Sequence, residues 1–165
     1  MYSRKRIMRL IGAILGALFI IAADQLTKVW AVTALRDRPP QEIIGRFLQF
    51  DYIENRGAAF GILTNQRIFF IVLTLAIVAA LIYFLFRQGL QSAITTTGVA
   101  LIIGGAFGNF IDRLLQGYVV DFIRVDIVSF YEFPVFNVAD IGVTVGCALL
   151  FVYFLWFDRK KEEAA

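Results

Sequence analysis

Four apolar runs dominate what this chain can become. Ile7 to Ala23, Ile68 to Phe86, Ala93 to Ile111 and Val138 to Phe157 are each long enough to cross a hydrocarbon core of about 30 Å, which takes roughly 17 to 25 helical residues. Only the first encloses a basic residue, Arg9, and the last carries one acid at its start, Asp140. Lipid offers no partner to backbone polar groups, so such runs must be helices. A 59% hydrophobic content and a mean hydropathy of +0.74 point the same way, outside the range of a soluble domain. The expectation is one integral membrane domain over residues 1–165, an all-α bundle of four spans with outer loops at 33–66 and 114–136. Arg4, Lys5 and Arg6 before an apolar run could also open a cleaved signal peptide. Three further spans, and Asp24 where the first helix would meet water, favour a retained helix.

Basic residues set the expected orientation. Arg4, Lys5, Arg6, Arg9, Arg87, Arg159, Lys160 and Lys161 crowd the short segments on the side of the termini, against only Asp158, Glu162 and Glu163. The positive-inside rule therefore puts both termini in the cytoplasm and the longer loops outside. No basic face of a soluble module is present, so nucleic acid is not an expected partner.

Glycine pairs four apart, Gly12 with Gly16, Gly104 with Gly108 and Gly142 with Gly146, predict close helix contacts, because small residues let backbones approach where lipid gives no hydrophobic drive. In the first outer loop the stretch FLQFDYIENRGAAFGIL, behind Pro39 and Pro40, alternates loosely enough to predict short strands. The second, rich in Val, Ile, Tyr and Phe from Tyr118 to Val128, suggests strand or interfacial structure. Seventeen phenylalanines predict extensive lipid contact.

The chain contains no histidine and one cysteine, Cys147, inside the last run. A Ser-His-Asp triad, a Cys-His pair, a histidine-ligated zinc and an intrachain disulfide are therefore excluded, and Cys147 reads as a small buried hydrophobe. No metal or other cofactor is expected. Acid–base work would fall to polar residues gathered at the outer ends of the spans: Asp24, Gln25, Thr27 and Lys28; Asn55; Asn109, Asp112 and Arg113 with Asp121; and Asn137 with Asp140. Each has a plain structural reading. Asp24 and Lys28 make an i,i+4 pair, Asn137 and Asp140 a helix cap with its third-position carboxylate, and Arg113 a snorkelling cation. Yet all stand at one depth, and ionisable groups near hydrocarbon are costly and usually functional. Two carboxylates brought together there would share a proton, one acting as base toward water. A proton-coupled transporter is the competing reading, but it would place its acids mid-membrane within repeated halves, and a purely structural subunit would not need so many polar clusters at one depth.

As a set, Asp24-Gln25-Leu26-Thr27-Lys28, Asn55-Arg56-Gly57-Ala58-Ala59-Phe60, Gly108-Asn109-Phe110-Ile111-Asp112-Arg113, Val119-Val120-Asp121-Phe122 and Phe136-Asn137-Val138-Ala139-Asp140 resemble the bacterial lipoprotein signal peptidases, or signal peptidase II. The resemblance spans nearly the whole chain. It implies an intramembrane aspartyl endopeptidase of the bacterial inner membrane, active near the extracytoplasmic face, that removes signal peptides from prolipoproteins just before a diacylglyceryl-modified cysteine, and that is inhibited by globomycin. It implies a four-helix bundle with a small extracytoplasmic β-sheet cradle and a surface helix. Carried over by motif, Asp121 and Asp140 are the catalytic pair; Asn55, Asn109, Arg113 and Asn137 bind substrate; Asp24, Lys28 and Asp112 support.

The residues alone leave Asp112 open as a partner for Asp140, since Asn109, Asp112 and Arg113 share a helix face at i, i+3 and i+4; the resemblance selects Asp121. Asp140, at the positive end of the last helix dipole, reads as the base, with Asp121 holding the shared proton.

Overall fold

The computed structural model describes residues 3–57, 62–88, 90, 92–126 and 133–157. Four helices carry the bundle: α1 (Arg4–Ala34), α2 (Arg67–Arg87), α3 (Ala93–Leu115) and α4 (Val138–Phe157). All four are long and apolar enough to cross a membrane. Both α1 and α3 run past the apolar stretches read from the sequence, to Ala34 and Leu115. The additional turns carry Asp24, Lys28, Asp112 and Arg113, so helical backbone continues into the polar layer and presents those side chains from rigid positions.

Three strands, β1 (Gln41–Ile44), β2 (Leu48–Asn55) and β3 (Val119–Val125), form an antiparallel sheet in the order β1-β2-β3 at one end of the bundle. The alternating stretch after Pro39 and Pro40 becomes β2, while β1, ahead of it, pairs with it in a hairpin turning at Gly45, whose φ of +48° suits a residue without Cβ. The Val- and Ile-rich second loop supplies β3. A register shift between Phe50 and Ile53 bends β2 as a bulge does. Trp30 of α1 meets Phe50 and Phe122 edge-on at 5.1 and 5.9 Å, and Val120 and Phe122 are buried with Ala31 and Leu35. The sheet is thereby seated on the end of α1. No surface helix occurs among the described residues; the motif residues Ala58 to Phe60, the loop residues Ile127 and Val128, and the charged tail from Asp158 to Glu163 lie outside them.

Helix α3 is the centre of the bundle, packed against α1, α2 and α4. Its glycines explain the closeness. A Cβ on Gly104 would stand 2.8 Å from the Ala17 carbonyl oxygen of α1, and one on Gly98 3.0 Å from the Gly146 carbonyl oxygen of α4. Gly105, which the four-residue spacing did not single out, would collide with the Ala139 carbonyl oxygen. The Gly12–Gly16 pair is different: a Cβ on Gly12 meets nothing within 4 Å, and one on Gly16 only an ordinary contact at 3.8 Å. That end of α1 bounds a shallow groove, and its glycines make no close crossing. Cys147 is also not buried. It follows Gly146 by one residue, a rotation of about 100° on a helix, so when Gly146 packs on α3, Cys147 faces outward. Many large apolar side chains do the same, among them Phe19, Phe69, Phe86, Phe151 and Phe154.

Candidate active site

The polar clusters converge where the sheet meets the bundle. A cleft of about 480 Å³ opens there, lined by Asp121 of β3, Asp140 of α4, Asn55 of β2, and Asn109 and Arg113 of α3. Phe133, Phe136, Ile141 and Val145 give it an apolar wall.

Local chemistry puts each carboxylate in place. Asn137 caps α4: its side-chain oxygen accepts the Asp140 N–H at 3.0 Å, and Asp140 Oδ2 accepts the Asn137 N–H at 3.1 Å. This reciprocal capping satisfies N–H groups that a helix start leaves free. Asp140 Oδ1 accepts from Asn109 at 2.8 Å. Asp121 is held from both sides, Oδ1 accepting from Asn137 at 2.6 Å and Oδ2 from Asn55 at 2.9 Å. Asn55 in turn accepts the Gly57 N–H at 3.0 Å, a turn that orients its amide. After β3 the chain folds back so that Phe136 and Ile123 exchange backbone hydrogen bonds at 3.0 and 2.8 Å, bringing Asn137 beside Asp121.

Asp121 is only 2% exposed. Burial, and then the Asp140 charge, push its carboxyl up to about 7, against the partial relief given by Asn55, Asn137 and Lys28. Desolvation and repulsion thus let Asp121 keep its proton to a far higher pH than an ordinary carboxyl. One neutral and one ionised carboxyl at a single cleft can polarise a carbonyl and activate a water together.

The remaining predicted residues lie behind the cleft. Lys28 is 3% exposed and bridges Asp24 at 2.8 Å and Asp112 at 2.9 Å. It also donates to Asn109 at 2.9 Å. The Asp24–Lys28 pair is thus more than a helix-surface contact. Asp112 turns away from the cleft, held by Lys28, by Gln25 at 3.0 Å and by the Val120 N–H at 3.1 Å. The expected common face of α3 divides, with Asn109 and Arg113 toward the cleft and Asp112 toward α1. Arg113 donates to the Gly57 carbonyl at 3.2 Å and lies 4.6 Å over the Phe70 ring. Asn137 is wholly buried, with its amide directed at Asp121 and Asn109. Two features escaped the sequence reading. Gln25, named there without a role, links Asp112, the Gly108 carbonyl and Asp24 at 3.0, 3.2 and 3.3 Å. Ile141, Thr144 and Val145 extend the cleft along α4, and helical spacing from Asp140 would have located them.

Residues 16–156 match the profile of signal peptidase (SPase) II. The chain belongs to the signal peptidase II family. A lipoprotein signal peptidase of Lactobacillus johnsonii is 40% identical over 144 residues, covering 87% of this chain and 92% of that protein. One from Staphylococcus aureus is 38% identical over 151 residues, 92% of each. Two solved bacterial membrane enzymes, determined by the in meso method at 2.3 and 1.9 Å, superpose with TM-scores of 0.82 and 0.80, each at 39% identity. The first comparison covers 87% of both chains, the second 88% of this chain and 93% of the other. Membership makes this protein a peptidase and a multi-pass bacterial membrane protein. The transporter alternative gives way, and the carboxylates stand at the sheet end of the bundle instead of at its middle.

Proposed function

We propose that the protein is an aspartyl endopeptidase that removes signal peptides from diacylglyceryl-modified prolipoproteins, cutting just before the lipidated cysteine. The observation that carries this reading is the placement of Asp121 and Asp140 in one cleft, each carboxylate bound by amide donors, with Asp121 raised to about 7. Asp140 takes a proton from water, and the hydroxide attacks the scissile carbonyl carbon. Asp121 gives its proton to the carbonyl oxygen, forming a neutral gem-diol. Collapse returns a proton to Asp121 while Asp140 protonates the departing amine, so the pair ends as it began.

Asn55 and Arg113 face the cleft and hold the substrate backbone. Asn109 and Asn137 were expected to share that task. Their hydrogen bonds to Asp140 and Asp121 suit them better to aiming the carboxylates. The apolar wall of Phe133, Ile141 and Val145 accepts a signal peptide or an acyl chain. The whole chain acts as one integral membrane unit in the cytoplasmic membrane, with termini inside, cleft outside and membrane lipids around it, an orientation supported by the basic residues near the termini. Globomycin, as an inhibitor of the family, occupies the same cleft.

The test is a gel-shift cleavage assay in lipid, with lipidated and unlipidated precursors and the Asp121→Asn and Asp140→Asn variants. Cleavage of the lipidated precursor alone, abolished in both variants, is the expected result. Activity surviving in either variant would remove the aspartyl mechanism.

A further inference from the structure

The residues just before the two cleft aspartates share an unusual arrangement. Ala139, preceding Asp140, gives its N–H to Asp24 Oδ1 at 2.9 Å. Val120, preceding Asp121, gives its N–H to Asp112 Oδ2 at 3.1 Å. Asp24 and Asp112 are 0% and 5% exposed, and both are bound by Lys28, through contacts of 2.8 and 2.9 Å. The backbone leading into each cleft aspartate is thus held by a carboxylate, and one ammonium ties the two carboxylates together.

We infer that Lys28, Asp24 and Asp112 form a positioning brace, which sets the spacing of Asp121 and Asp140 by gripping the backbone N–H of Val120 and Ala139. The inference rests on the aspartyl reading above and adds a division of labour to it. In front, the Ile123–Phe136 backbone bonds and the Asn137 amide tie β3 to the start of α4; a hold on both from behind the cleft is needed to fix their relative height. The brace does this from α1 and α3, which are packed along their length by Gly104 and Gly108. A second branch reaches the carboxylates themselves. Lys28 donates to Asn109 Oδ1, which leaves the Asn109 amide hydrogens for Asp140 at 2.8 Å. Asn137 donates to the same Asn109 oxygen at 3.0 Å and to Asp121 at 2.6 Å. With Lys28 in place, Asn109 cannot flip its amide without facing oxygen to carboxylate. Lys28 is therefore a positioning residue that never touches substrate, and a misplacement of about 1 Å at such a site can cost on the order of 10²-fold in rate.

Replacing Lys28 distinguishes a brace from mere packing. The charged groups around Asp121 are Asp140 from α4, Lys28 from α1 and Arg113 from α3, with the neutral amides of Asn55 and Asn137 against it; Asp112 of α3 stands behind, gripping the Val120 N–H. Lys28 is among those favouring the ionised form. Lys28→Met should therefore lower kcat by about 10²-fold with KM changed less than about threefold, and shift the alkaline limb of the pH–rate profile upward. In Lys28→Met/Asp24→Asn, the amide can still accept from Ala139 while donating toward Asp112, so kcat should recover at least about tenfold over the single variant with the limb still displaced. In the wild-type protein the Ala139 amide, which has no intrahelical acceptor so near the start of α4, should be protected from hydrogen exchange. Wild-type kcat with an unmoved limb in Lys28→Met, a folded double variant with no recovery, or fast exchange at Ala139 would each overturn the brace. Asp121→Asn and Asp140→Asn run in parallel separate the two ideas: activity in either sinks the aspartyl reading, whereas their silence beside a fully active Lys28→Met sinks the brace alone.

Discussion

Asn137 donates to Asp121 Oδ1 at 2.6 Å, and its own side-chain oxygen accepts the N–H of Asp140 at 3.0 Å. One buried amide therefore couples strand β3 to the start of α4. Asn137→Ala removes a helix cap, worth about 1 kcal/mol, and strands buried acceptors at about 1–3 kcal/mol. The melting temperature should fall, and kcat should drop more than KM changes, because Asn137 has no surface in the cleft. Thermal unfolding and steady-state cleavage of a lipidated precursor check both.

The Asp121 carboxyl, raised from 3.8 to about 7, dictates a pH dependence. The neutral form is the one the fold favours. Activity that needs the Asp121 proton should fall as pH rises through about 7. The same shift acts on stability with the same sign: the contribution is complete below 3.8 and lost as pH climbs toward 7. A pH–rate profile with no alkaline limb in that region would contradict the assignment of the proton to Asp121.

Two glycine substitutions should behave oppositely. A Cβ on Gly108 would lie 2.5 Å from Asp24 Oδ2 and 3.1 Å from the Ala139 Cβ, so Gly108→Ala must displace a buried carboxylate or a helix, costing about 1–3 kcal/mol. Gly12→Ala meets nothing and gains helix propensity of up to about 1 kcal/mol. Thermal shift in one detergent ranks the pair.

Arg113 lies 4.6 Å over Phe70 and donates to the Gly57 carbonyl at 3.2 Å. A lysine keeps the charge but loses the planar, forked donor. Arg113→Lys should raise KM by roughly tenfold, about 1.4 kcal/mol, with a smaller effect on kcat. Comparison of kcat and KM for the two proteins tests this.

Much of the fold was legible because hydropathy is additive along a span and needs no tertiary context. The cap formed by Asn137 and Asp140 was legible for the same reason, being local. Asp112 was harder. Its spacing from Asn109 and Arg113 suggested a shared face, but a helix residue's neighbours depend on which helix lies behind it, and Lys28 of α1 lies 84 positions away in sequence. Gly12 and Gly16 illustrate the converse: the spacing that permits close packing does not compel it, since a partner must also be present at that height.

The paired backbone bonds between Ile123 and Phe136 tie β3 to the residues that lead into α4. Phe133, Pro134 and Val135, just before that pairing, line the cleft beside the aspartates, so the same two backbone bonds that steady β3 also anchor one wall of the site to the strand that carries Asp121.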